Sequence, residues 1–342
     1  MPVLSSQSRV DHNPIVIGLV NNMPDGALQR TERQFHDVLL AAAHDVAFQL
    51  RLFYIPKVPR GEAGRLHLYQ YYEDIEALWS SRLDGLIVTG TEPRTAALVD
   101  EPYWLTLTRL IDWAEDHTNS TIWSCLAAHA AVLHLDGIQR RTMHEKLSGI
   151  FDCNKAESHA ILAQAPSRWC VPHSRYNDLS EAALVSKGYC IVSRSPEAGA
   201  DIFVKHKNSL FIFLQGHPEY DPAALLREYR RDCTRFLAGE RDSYPQMPRG
   251  YFDDETRVTL AAYQEQVLRG PHLEPAPSFP CVATERLGHS WRGLAIQLYA
   301  NWFSYLAGHG PQNVRSIGSP VFSSQMRRQS MPARLLSGVL PP

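Results

Sequence analysis

No uninterrupted apolar stretch in this 342-residue chain approaches the roughly 18 residues that a membrane-spanning helix requires. The opening residues MPVLSSQSRVDHNP also lack the basic-then-apolar layout of a signal peptide. These two absences lead us to expect a cytoplasmic protein with no membrane partner. Neither sign of charge is in surplus: Lys and Arg number 34 against 36 Asp and Glu, a formal net charge of -2. That balance excludes a general electrostatic pull toward nucleic acid and directs attention to small-molecule chemistry. Cysteine is sparse and scattered. Cys125, Cys153, Cys170, Cys190, Cys233 and Cys281 contain no CxxC pair, so neither a disulfide framework nor a metal site is expected, and each reads as a free thiol.

What is present is an ordinary globular composition, 44% hydrophobic and 20% charged, enough for a sizeable core. Buried strands are expected at PIVIGLV, FQLRLFYIP, DGLIVTG and TIWS. Helices are expected from about Thr31, through YEDIEALWSSRL, through YWLTLTRLIDWAEDH, and behind Cys125. This alternation argues a parallel sheet flanked by helices and built by right-handed crossovers. Further strands at YCIVSRS, DIFVKHK and LFIFLQGH have short connections that fit antiparallel pairing at a sheet edge. Helices return at PAALLREYRRDCTRFL and WRGLAIQLYANWFSYL, with Pro- and Gly-rich loops and a short helix between them. The expected organisation is a single domain over 13–306, an N-terminal extension over 1–12 and a disordered tail over 308–342.

Ligands of open α/β sheets gather at the carboxyl ends of the parallel strands. VTGTEPR, SCLAAH and QGHPEYD all fall at such ends, which would bring Cys125, His217 and Glu219 together. A thiol at a strand-to-helix junction is favoured as an anion by the helix terminus, and a histidine held by a carboxylate can serve as its base. A single cysteine before an alanine-rich helix is more often a packing residue. The Gly-His-Pro-Glu turn brings the two readings level.

The ordered set NNMPDGALQRTERQF, DGLIVTG, Tyr103-Trp104, EKLSGIF, PHSRYNDL, GHPEYD, EYRRD and ANWFSYL resembles the landmarks of the homoserine O-succinyltransferase family, relatives of the class I glutamine amidotransferases. The likeness runs from about residue 13 to 306. It implies a flavodoxin-like sheet and a ping-pong transfer of an acyl group from acyl-CoA, with no bound cofactor, to the hydroxyl of L-homoserine in methionine biosynthesis. By that resemblance Cys125 is the nucleophile, His217 the base and Glu219 its orienting partner. Lys146, Ser174, Arg175 and Arg231 bind substrate, Arg231 taking the amino-acid carboxylate, and the family implies a homodimer. The Leu126 amide, at the helix start, is the natural oxyanion donor. His129 and His134 are taken as structural or exposed, and His173 as a minor site candidate.

The chain departs from the family pattern in three places. Asp25-Gly26 stand where a lysine is usual after MP, and Leu126 and His129 replace a tryptophan and a glutamine beside the nucleophile. Arg94 falls where the family sets acyl choice, and an arginine there would pair with a succinyl carboxylate, so succinyl-CoA is the expected donor. The rival readings are transfer to L-serine or another hydroxy-amino acid, one methylene being worth only about 1–3 kcal/mol of discrimination, and a glutaminase-type hydrolase.

Overall fold

The unbroken apolar run Ile15–Val20 forms the first strand, β1, as expected of a strand covered on both faces. The structure, a computed structural model, describes residues 13–269, 277–284 and 287–308. The expected N-terminal extension and all of the expected tail beyond Gly308 lie outside them. After β1 come α1 (Asp25–Ala43), β2 (Phe48–Tyr54), α2 (Glu62–Tyr71), β3 (Glu73–Asp74), α3 (Ile75–Trp79), β4 (Gly85–Val88), α4 (Trp104–His117), β5 (Ser120–Ser124) and α5 (Leu126–Asp136). The second half adds β6 (Arg141–Lys155), β7 (Arg168–Asp178), α6 (Glu181–Ser186), β8 (Cys190–Ser195), β9 (Gly199–His206), β10 (Leu210–Leu214), α7 (Ala224–Leu237), α8 (Asp254–Arg269) and α9 (Arg292–Leu306).

The strands line up as β3-β2-β1-β4-β5-β10-β9-β8-β6-β7. From β2 to β10 all neighbours are parallel, and without the two-residue β3 their order is second, first, third, fourth, fifth, which is the flavodoxin order. Strand order reverses between β1 and β4, so the helices flanking them diverge and leave a crevice at the strands' carboxyl ends. The remaining strands extend the sheet antiparallel from β10.

One face of the sheet buries Val88, Trp123 and Phe213 against α4 and α5 through Leu110, Ile111 and Val132. The other buries Ile17, Leu19 and Ile122 against Phe35 of α1 and Trp302 of α9. Trp302 donates from Nε1 to Ser120 Oγ at 3.0 Å, and its ring lies where a Cβ on Gly85 would come within 2.7 Å. A third cluster joins α7 and α8 through Tyr229, Leu260 and Trp291. No helix among the described residues is long and apolar enough to cross a membrane.

Several elements differ from the expectations. Helix α1 starts at Asp25, not near Thr31: Pro24 is held extended at its N-cap, and the Asp25 carboxylate, favourable in a first turn, accepts the Gly61 N–H at 2.8 Å. Only Leu28 is buried in that polar first stretch, so hydrophobic spacing does not reveal it. YEDIEALWSSRL is not one helix but the short β3 followed by α3, capped by Asp74, and α2 precedes them. Strand β10 is antiparallel only to β9 and pairs in parallel with β5. The long β6–β7 hairpin carries no sequence signal of its own, because β6 is mostly exposed or half-buried and lacks a clean alternation.

Candidate active site

Cys125 occupies the one-residue corner between β5 and α5, with φ 51° and ψ -113°. Positive φ is uncommon for a residue with a side chain and marks stored strain. The corner is held by the Cys125 N–H, which donates to Leu214 O at the end of β10 at 2.7 Å. The thiol is a free one and only partly buried. A sharp strand-to-helix turn of this kind lifts a nucleophile off the backbone and aims the first amides of the helix at the same point.

His217 reaches that point from the turn after β10. Its own N–H donates to Pro172 O at 2.8 Å, which fixes the turn against β7. One ring nitrogen, Nδ1, lies 2.8 Å from Glu219 Oε1, and the Cys125 side chain is near enough to act on the imidazole electrostatically. The ring stacks on Tyr220 with centroids 4.2 Å apart. Burial works against the imidazolium, but the Glu219 carboxylate and Cys125 outweigh it and hold the His217 pKa well above its usual value. Glu219 is 4% exposed.

The turn depends on Gly216. A Cβ there would fall 2.5 Å from Val171, 2.8 Å from Asp201 Oδ1 and 3.0 Å from His173 Nε2. His173 therefore lies beneath the turn, fully buried, 3.4 Å from Asp201. Burial lowers its pKa despite that carboxylate. Cys153 joins the same buried group. Its thiol's pKa is pushed up, by burial first and then by Asp201, which keeps it protonated. Ser193 Oγ donates to Asp201 Oδ2 at 2.8 Å, whereas neither ring nitrogen of His173 has a hydrogen-bond partner among the described residues, so the group is a buried, close-packed support for Gly216. His129 is also structural: buried, with its pKa lowered to about 4 by desolvation, it meets Gln215 Oε1 at 3.0 Å and ties α5 to the same turn. His134 pairs with Asp112 on the surface.

On the opposite side of Cys125, the loop after β4 approaches the start of α5. A Cβ on Gly90 would meet Leu126 N at 2.9 Å and Leu126 Cβ at 2.8 Å. The missing side chain lets the loop backbone approach the Leu126 amide, the first of α5, closely.

A second polar group stands on α7 and the β6–β7 hairpin. Lys146 Nζ donates to Asp232 Oδ2 at 2.8 Å and to Glu228 Oε2 at 3.2 Å. Ser174 Oγ also donates to Glu228 Oε2, and Tyr220 Oη donates to Oε1 at 2.5 Å. Burial would raise the Glu228 pKa, yet Lys146 and the two hydroxyls bring it down to about 2. Arg231, one turn further along α7, leans on Asp232 at 3.2 Å. Tyr220 links Glu228 to the ring of His217, so the two groups are joined by direct contact. Glu228 and Tyr220 were missed from sequence. The signal was present in EYRRD, where Glu228 and Arg231 stand three residues apart on one helix face.

Two of the expected site residues lie apart from this grouping. Arg175 is 4% exposed, and its guanidinium is taken up by Asn177 O at 2.7 Å, Asp178 Oδ1 at 3.0 Å and Ala198 O. Arg94 is exposed on the loop after β4, where its backbone N–H donates to Glu101 Oε1 at 2.6 Å and its side chain lines a groove shared with residues that follow β2.

Fold and site together define an α/β enzyme with a Cys–His–Glu arrangement at the carboxyl edge of a flavodoxin-order sheet. The profile of the homoserine O-succinyltransferase family, named "HTS: Homoserine O-succinyltransferase", matches residues 4–310. The chain belongs to that family. It is 48% identical to a homoserine O-succinyltransferase of Rhodopseudomonas palustris over 281 residues, 80% of this chain and 83% of that one. A homoserine O-succinyltransferase of Methylorubrum extorquens is 45% identical over 294 residues, 85% of this chain and 87% of its own length. Among solved structures, a glutamine amidotransferase of Thermotoga maritima superposes with TM-score 0.47 and 12% identity, covering 86% of this chain and 98% of that one.

Proposed function

We propose that this enzyme transfers a succinyl group from succinyl-CoA, through a thioester on Cys125, to the hydroxyl of L-homoserine. The observation that carries the reading is the convergence of Cys125, His217 and Glu219, with the Leu126 amide at the helix start following Cys125. The Cys125 thiolate attacks the thioester carbonyl, and the oxyanion that forms faces Leu126 N–H. The carbon–sulfur bond to CoA breaks, and the departing thiolate takes the proton from the His217 imidazolium. This exchanges one thioester for another at little cost.

Homoserine then gives its hydroxyl proton to neutral His217 as its oxygen attacks the acyl-enzyme. The tetrahedral intermediate collapses to O-succinylhomoserine and the Cys125 thiolate. Glu219 keeps the imidazole oriented and stabilises its protonated form in both halves. The acceptor's charged ends match the polar group on α7: Arg231 for the carboxylate, and the Glu228–Asp232 carboxylates, with Lys146 between them, for the ammonium.

Initial-rate kinetics test the order of events. Double-reciprocal plots against homoserine at several succinyl-CoA concentrations are expected to be parallel, with succinyl-CoA preferred over acetyl-CoA and homoserine over L-serine. Intersecting lines would contradict a covalent intermediate, and a preference for L-serine would replace the acceptor.

A further inference from the structure

A groove of about 630 Å³ opens at the carboxyl ends of β2 and β4, on the same edge of the sheet as Cys125. Lys57, Arg60, Arg65 and Arg94 line it, and the carboxylate among its lining residues, Asp74, is engaged in capping α3. Arg60 is fixed by donating to Asn21 O at 2.8 Å and to Met23 O, just past β1, and Arg65 donates to Arg60 O at 2.7 Å. Among the described residues none of these four cations forms an ion pair with a carboxylate, whereas Arg227 of α7 has one and Arg235 two. Tyr69, 72% exposed on α2, presents a free aromatic face at the same rim.

We propose that this groove holds the phosphorylated adenosine end of the acyl-CoA donor, with Lys57, Arg65 and Arg94 on its phosphates, Arg60 shaping the wall through its backbone contacts, and Tyr69 against its base. The assignment rests on the CoA-dependent reading above. Placement supports it: β2 and β5 are three strand spacings apart, about 14 Å, a span for the donor's pantetheine arm to cross on its way to Cys125. Three free cations, Lys57, Arg65 and Arg94, exceed what one succinyl carboxylate needs, and they match a group carrying a diphosphate and a further phosphate. Arg94 thereby acts on the nucleotide end and not on the acyl group.

The test uses the full chain and the double variant Lys57→Glu/Arg65→Glu, both residues being exposed and outside the core. Adenosine 3′,5′-bisphosphate, titrated by calorimetry, is expected to bind the wild type in a salt-sensitive manner and the variant at least about tenfold more weakly. The KM for succinyl-CoA should rise by about tenfold or more, while acylation of Cys125 by succinyl-pantetheine, which lacks the nucleotide, stays unchanged. Arg94→Ala should show the same selectivity for the CoA donor. If both donors acylate Cys125 and the substitutions affect neither, or both alike, the groove is not the nucleotide site. If neither donor acylates Cys125 in the wild type, the CoA-dependent reading itself falls, and the assignment of the groove to CoA falls with it.

Discussion

Glu219 gives one oxygen to His217, while Oε2 has no hydrogen-bond partner among the described residues; nor does the buried Tyr299 hydroxyl, whose pKa is raised first by burial and then by the Glu219 charge. Nothing there neutralises the carboxylate except the imidazole, so its charge is directed at His217. Replacing Glu219 with Gln preserves shape and removes that charge. We expect kcat to fall by roughly 10²–10⁴-fold and the pH–rate profile of the acylation half-reaction to show a lower apparent pKa for the imidazole. An unchanged profile would mean that Glu219 serves packing alone. Glu228 works in the other direction. Its pKa is lowered from 4.5 to about 2, so it contributes stability that is fully present above about pH 4.5 and is lost as pH falls toward 2. That contribution is on the order of 3 kcal/mol at most. Glu228→Gln is therefore expected to flatten the loss of stability across that acid window, measured by urea unfolding as a function of pH.

At the scale of elements, the site is made by strand ends meeting helix starts, and the β4 loop packs closely against the start of α5. Gly90→Ala places a methyl against the Leu126 amide. We expect acylation to slow by about 10²–10³-fold with succinyl-CoA and succinyl-pantetheine alike, because the oxyanion donor is shared by both. Melting temperature is the control that separates this from unfolding. The parallel core was legible in the sequence because its strands are continuous apolar runs ending in glycine or polar turns, as at Gly85–Val88 and Ser120–Ser124. The Cys125–His217–Glu219 meeting point followed from the same strand ends. Less legible was whatever depends on pairing at a distance. Strand β6 shows no period of its own and is set by β7, and Cys153, His173 and Asp201 meet beneath Gly216 without any sequence spacing that announces it. Arg175 illustrates the converse: its type suits a substrate carboxylate, but backbone carbonyls and Asp178 occupy its fork.

Across the whole molecule, α9 carries more than its place near the end of the described residues suggests. Trp302, fully buried, fills the space left by Gly85 and bonds Ser120 on β5, the strand that leads to Cys125. Trp302→Ala should cost about 3–5 kcal/mol and lower the thermal midpoint, with the Leu294 and Phe303 side of the core loosened as well. The proposed chemistry depends on two neighbouring strand ends, after β5 and β10, that bring a thiol and a histidine–carboxylate pair together for acyl transfer. Mass spectrometry of the intact protein, mixed briefly with succinyl-CoA and then chased with L-homoserine, tests it most directly. A succinyl adduct is expected that maps to Cys125, is absent from Cys125→Ala and disappears on adding homoserine. A folded protein that takes up no succinyl group, or takes it up equally well without Cys125, would contradict it.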